Sequence, residues 1–127
     1  MLKKKFKKKE HSLAQSFYYA FKGIQSNLLT ERNLVIHFCV AIAVVTCSLI
    51  FEISKTEWLI CLLLFGIVIS TELFNTAIEA AIDICMPEIN PKAKLAKDTA
   101  AGAVLIIAII AAIIGLIIFL PKVSILF

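Results

Sequence analysis

Three apolar runs constrain this chain more than any other feature: Leu34–Phe51, the run that opens at Trp58, and Thr99–Leu120. The first is 18 residues long and the last 22, and about 20 apolar residues carry a helix across a hydrocarbon core roughly 30 Å thick. With 127 residues, 61% of them hydrophobic, and a mean hydropathy of +0.95, the composition excludes a soluble domain and leaves room for three spans. The expected fold is an all-α integral membrane protein, a single membrane domain over residues 1–127. Its parts are a basic tail (1–11), an interfacial helix (12–29) and helices 34–51, 58–84 and 95–120 with transmembrane spans.

The chain opens on a lysine block from Lys3 to Lys9. No apolar h-region or small-residue cleavage site follows, so the block is expected to stay on the mature protein. The net charge of +4 comes from the ends and one loop, which suits anionic lipid headgroups and not nucleic acid. Cys39, Cys47, Cys61 and Cys85 show no metal-ligand spacing and read as small apolar fillers.

After the lysines, Leu13, Phe17, Phe21, Ile24 and Leu28 fall within roughly 80° of one another on a helical wheel, the pattern of an amphipathic helix. With its basic flank and the aromatic Tyr18, Tyr19 and Phe21, this helix suits the membrane interface. Thr30 is expected to cap the next helix, with Glu31 in its first turn where the macrodipole favours negative charge. His37 stands alone, without a second ligand at metal spacing, and reads as a satisfied interfacial histidine. The segment Glu52–Glu57 is short, so the second span must return antiparallel to the first. Pro87 and Pro91 are expected to end the second span, and Pro121 the third. Ala100, Ala101, Gly102 and Ala103 are small enough to let a neighbouring helix approach closely.

The second span is not apolar throughout. Glu72, Asn75, Glu79 and Asp83 fall within an arc of roughly 80° and form one polar stripe. Glu72 lies roughly 21 Å along the helix from Trp58, short of a 30 Å core. A carboxylate at that depth is costly, which favours a functional site over hydrogen-bonded helix packing, for which an Asn or Gln suffices.

Orientation follows from lysine and arginine. Eight lie before the first span, one in the first loop, three in or just after the second loop and one near the C-terminus. By the positive-inside rule the N-terminus and the second loop are cytoplasmic and the C-terminus external. Glu31, the Glu72–Asp83 stripe, Lys97 and Asp98 then converge on the cytoplasmic boundary, where ATP is available. Carboxylates there can hold Mg²⁺ on ATP phosphates, a lysine can neutralise developing charge, and one carboxylate can accept a lipid hydroxyl proton. The competing reading from physics alone is a proton or cation transporter with Glu72 as the ion carrier. It leaves Glu31, Glu79, Lys97 and Asp98 without a role.

The segment Glu72-Leu-Phe-Asn-Thr-Ala-Ile-Glu-Ala-Ala-Ile-Asp83, followed by Ala96-Lys-Asp-Thr-Ala-Ala-Gly-Ala-Val104, resembles the prokaryotic diacylglycerol kinase family, which includes undecaprenol kinases. The likeness extends over Ser16–Gly23 and Thr30–Asn33 and covers the chain from about Ser12 to Lys122. The resemblance implies a homotrimer of three-span subunits, each preceded by a surface helix, with active sites shared between neighbours at the cytoplasmic face of a bacterial inner membrane. It implies Glu72 as the general base, Glu31 and Glu79 as holders of Mg²⁺ on ATP, and Asn75, Asp83, Lys97 and Asp98 as further site residues. Tyr19 and the loop residues Glu88, Ile89 and Asn90 would contact the nucleotide, together with Glu79, Lys97 and Asp98. Ser12 departs from members that carry a basic residue there, a role Lys8 or Lys9 could take. Thr30–Asn33, Glu57-Trp58 and the Ile-Phe-Leu-Pro-Lys122 ending look like the undecaprenol branch, with diacylglycerol as the alternative lipid.

Overall fold

The computed structural model describes residues 12–125, so the expected basic tail lies outside the described residues. The described chain is helical: α1 (Leu13–Thr30), α2 (Arg32–Ile50), α3 (Lys55–Cys85) and α4 (Pro91–Ser124). The last three are long and apolar enough to cross a membrane. α3 packs mainly on α4 and secondarily on α2, and α1 touches α2 and α3. At 31 and 34 residues, α3 and α4 are about 46 and 51 Å long, so both outrun a 30 Å core.

Local chemistry sets the helix starts. Ser12 and Gln15 form a reciprocal capping box at α1, with Gln15 N–H donating to Ser12 Oγ at 3.3 Å and Ser12 N–H to Gln15 Oε1 at 3.1 Å. Ser54 and Glu57 do the same at α3, at 3.2 and 2.7 Å. Each box satisfies two backbone donors that a helix start leaves without partners. Asn90 caps α4 by accepting from the Lys92 and Ala93 N–H groups. Pro91 then occupies the first turn, where its missing N–H costs nothing.

The α2–α3 turn is a helix-ending motif built on a residue other than glycine. Ile53 N–H donates to the Ser48 carbonyl at 3.2 Å, Glu52 adopts φ 48°, and the Ile53 side chain is buried. This is the Schellman arrangement, with Glu52 in the left-handed conformation that usually falls to Gly. Around the turn Ile53, Cys61 and Ile118 form the apolar core, packed by Val44, Phe51, Trp58, Phe65, Ile114 and Phe119. Trp58 therefore serves packing within the subunit. Lys122 Nζ, in the last turns of α4, meets Glu57 Oε1, in the first turn of α3, at 3.1 Å.

Several expectations change. Thr30 does not cap α2: it is the last residue of α1, its hydroxyl donates back to the Ser26 carbonyl, and Glu31 takes the cap position without a side-chain cap bond. Pro91 starts α4 instead of ending α3. Pro121 does not stop α4, which runs on to Ser124. That last turn is held by the Ser124 hydroxyl donating to the Pro121 carbonyl at 2.7 Å and by the Lys122–Glu57 pair. A Cβ on Gly102 would meet nothing within 4 Å, so that glycine answers no close helix contact inside the subunit. Cys61 is a buried filler, but Cys39 and Cys85 are exposed.

Candidate active site

The polar stripe lies on the buried face of α3. Cys61, Val68, Glu72 and Asn75 are its buried residues, so the face passes from apolar to polar within one helical turn between Val68 and Glu72. Burial falls away along the stripe. Glu72 is 2% exposed and Asn75 9%, Glu79 is half-buried and Asp83 exposed. The charged end reaches water while Glu72 is held away from it.

Glu72 Oε2 and Asn75 Oδ1 are buried without a hydrogen-bond partner. An acceptor left in that state costs about 1–3 kcal/mol, which makes it a feature needing a reason. The Asn75 amide donates to Glu79 Oε1 at 3.3 Å, so Asn75 orients Glu79 while its own oxygen stays available. The Thr76 hydroxyl donates to the Glu72 carbonyl and makes no bond to the Glu72 carboxylate.

The first turns of α4 supply the cations. Lys97 Nζ meets Asp83 Oδ1 at 2.6 Å across the α3–α4 contact, and Lys94 Nζ meets Asp98 Oδ2 at 2.5 Å along α4. Exposed pairs of this kind contribute little to stability. Their consequence is positional, because Asp83 fixes where the Lys97 ammonium stands.

The structure thus joins Asn75 to Glu79 and Asp83 to Lys97. It does not assemble the remaining expected residues into one cluster. Glu31 sits half-buried at the α1–α2 corner, its backbone N–H donating to the Asn27 carbonyl at 2.8 Å. Tyr19 lies edge-on to Tyr18 with ring centroids 5.6 Å apart, and Lys22 Nζ stands 5.3 Å from the Tyr18 ring. Glu88 and Ile89 are exposed in the α3–α4 loop, while the Asn90 side chain is engaged in its cap.

No group of three or more His, Cys, Asp or Glu side chains that could hold a metal occurs among the described residues. That excludes an all-protein metal cage within them. It suits Mg²⁺, which is commonly bound by one or two carboxylates together with substrate phosphates and water. Glu79, aligned by Asn75, and Glu31, with no cap bond to satisfy, offer the oxygen donors such an ion takes.

His37 is half-buried on α2. It lines an apolar groove between α2, α3 and α4. The signal was its position on the inward face of α2, three residues after Leu34, which is fully buried.

Comparison with known proteins adds an independent line. Residues 18–119 match the family described as prokaryotic diacylglycerol kinase. The chain is 49% identical over 108 residues to the undecaprenol kinase of Bacillus subtilis (strain 168), covering 85% of this chain and 88% of that protein. It is 37% identical over 111 residues to the diacylglycerol kinase of Synechocystis sp. (strain ATCC 27184 / PCC 6803 / Kazusa), covering 87% of this chain and 63% of that protein.

Proposed function

The chain belongs to the prokaryotic diacylglycerol kinase family, and on that premise we propose that it transfers the γ-phosphoryl group of ATP to the hydroxyl of undecaprenol at the cytoplasmic face of a bacterial inner membrane. It is a lipid kinase, and the transporter reading of Glu72 is set aside. The substrate choice rests on the 49% identity to an undecaprenol kinase. The likeness to a diacylglycerol kinase makes diacylglycerol the second candidate.

The observation that carries the mechanism is the unpartnered Oε2 of a Glu72 that is 2% exposed. Glu72 accepts the proton of the lipid hydroxyl as its oxygen attacks the γ-phosphorus and the bond to ADP breaks. Lys97, placed by Asp83, neutralises charge on the phosphates. Glu79, oriented by Asn75, and Glu31 would hold Mg²⁺, which would supply charge screening for the phosphate oxygens. Tyr19, Glu88, Ile89, Asn90 and Asp98 surround the nucleotide, with the Asn90 cap fixing the loop at the start of α4.

The working unit in this reading is a homotrimer with sites shared between neighbours. A single subunit leaves the α2, α3 and α4 surfaces largely uncovered and, among the described residues, assembles no group of three acids that could hold a metal. The N-terminal helix α1 lies in the interface with the lysine tail on anionic lipid. The test is phosphorylation of undecaprenol and diacylglycerol by the purified protein in mixed micelles with labelled ATP. Undecaprenol is expected to be the better substrate. A preference for diacylglycerol would move the assignment to the second lipid, and phosphorylation of neither would overturn the proposal.

A further inference from the structure

Two ammonium groups share one flank of the first turns of α4, and the reaction as proposed uses only Lys97. Lys94 precedes Lys97 by three positions, so the two side chains are neighbours on the helix surface, with Cβ atoms about 5–6 Å apart. Lys92, two positions before Lys94, faces the other side of the helix. Asp83 meets Lys97 Nζ from α3 at 2.6 Å, and Asp98 meets Lys94 Nζ from the next turn of α4 at 2.5 Å. Glu79 stands near enough to Lys97 to act on it electrostatically. The proposed site therefore sets Glu31, Glu72, Glu79, Asp83 and Asp98, together with the polyanionic triphosphate, against Mg²⁺ and Lys97. Like charges gathered in one place repel, and Lys94 is the next cation on that flank.

We infer that Lys94 is a second phosphate-binding cation, which exchanges Asp98 for the β-phosphate of the bound nucleotide. The inference rests on the lipid kinase reading. In the proposed orientation Lys97 is on the membrane side, and Lys94 stands about 4.5 Å nearer the cytoplasm along the helix. Lys97 then meets the phosphoryl group being transferred, and Lys94 meets the phosphate behind it, which keeps the electrons of the breaking bond as ADP leaves. The Lys94–Asp98 pair has side chains 76% and 58% exposed, so little holds it together. A phosphate displaces the carboxylate at low cost and accepts a charge-assisted hydrogen bond from the ammonium. Until nucleotide arrives, Asp98 keeps the Lys94 side chain along α4. Once released, the Asp98 carboxylate is an acceptor for a ribose hydroxyl.

The test uses the full-length protein in mixed micelles with Mg²⁺, measuring the binding of ATP, ADP and AMP beside the KM for lipid. Because the Lys94 side chain is exposed, Lys94→Met leaves the packing of α4 intact. It is expected to weaken ATP and ADP binding by about tenfold each, the worth of one charge-assisted hydrogen bond, with AMP binding and the lipid KM within about twofold of wild type. Lys94→Arg should recover most of the loss, and Lys92→Met should bind all three nucleotides as the wild type does. Asp98→Asn supplies the background that separates a phosphate contact from the mere placement of Asp98. In that background Lys94→Met should still weaken ATP binding by about tenfold.

ATP and ADP binding unchanged in Lys94→Met, beside a wild type that binds ATP and phosphorylates lipid, would overturn the phosphate contact and leave the kinase reading standing. A loss as large for AMP, or one that vanishes in the Asp98→Asn background, would also overturn it and make Lys94 a support for Asp98. An equal loss in Lys92→Met would overturn it in favour of the general field of the basic surface. A folded wild type that binds no nucleotide would overturn the kinase reading and the role of Lys94 with it.

Discussion

Glu72 places catalysis and stability in opposition, and two substitutions separate them. Its Oε2 is buried without a partner, a state that costs about 1–3 kcal/mol. Glu72→Met keeps an unbranched side chain of similar length and removes the stranded acceptor, so it should stabilise the protein by about 1–3 kcal/mol. Glu72→Gln keeps the shape but removes the base, and kcat should fall by roughly 10²–10⁴, the equivalent of about 2.7–5.5 kcal/mol of transition-state stabilisation. Both variants should bind ATP nearly as the wild type does. The assays are lipid phosphorylation in mixed micelles, nucleotide binding in the same samples, and unfolding of each variant by titration with a denaturing detergent. A Glu72→Met variant less stable than wild type would refute the stranded-acceptor argument. A Glu72→Gln variant within about tenfold of wild-type kcat would refute the general base.

Four further outcomes follow from the same geometry. Glu31→Gln and Glu79→Gln should leave the assembly intact but weaken saturation by Mg-ATP, read as the Mg²⁺ dependence of the rate; unchanged dependence in both would return these residues to structural roles. Asp83→Asn releases Lys97 from its 2.6 Å contact, so the KM for ATP should rise by about tenfold, one charge-assisted hydrogen bond of about 1.5 kcal/mol, with kcat little changed. Ser54→Ala removes the capping box at α3 and should cost about 1 kcal/mol in detergent unfolding, leaving the KM for both substrates unaltered because the cap stands at the other end of α3 from the stripe. In a background stripped of its four cysteines, a cysteine near Phe127 should react with an impermeant thiol reagent in intact cells, and protection there would reverse the proposed orientation.

The sequence by itself determined the membrane class, three spanning helices and the polar stripe, because each depends only on residue type and helical period. Run length against bilayer thickness gives the spans, and a turn of about 100° per residue puts Glu72, Asn75, Glu79 and Asp83 on one face. The capping boxes at Ser12–Gln15 and Ser54–Glu57 were also legible in principle, since they are local motifs with a fixed three-residue spacing.

Only the tertiary structure decided which groups meet. Asp83 and Lys97 are fourteen positions apart and Glu57 and Lys122 lie on different helices, so their pairing depends on how α3 and α4 are aligned, which no local period encodes. Glu72 is isolated because α3 turns its polar stripe toward its packing partners, and burial arises from neighbours and not from the residue itself. The same packing makes His37 the one imidazole lining the groove between α2, α3 and α4. It also let α4 continue through Pro121, because a last turn held by Lys122–Glu57 and Ser124 offsets the backbone hydrogen bond that proline cannot make.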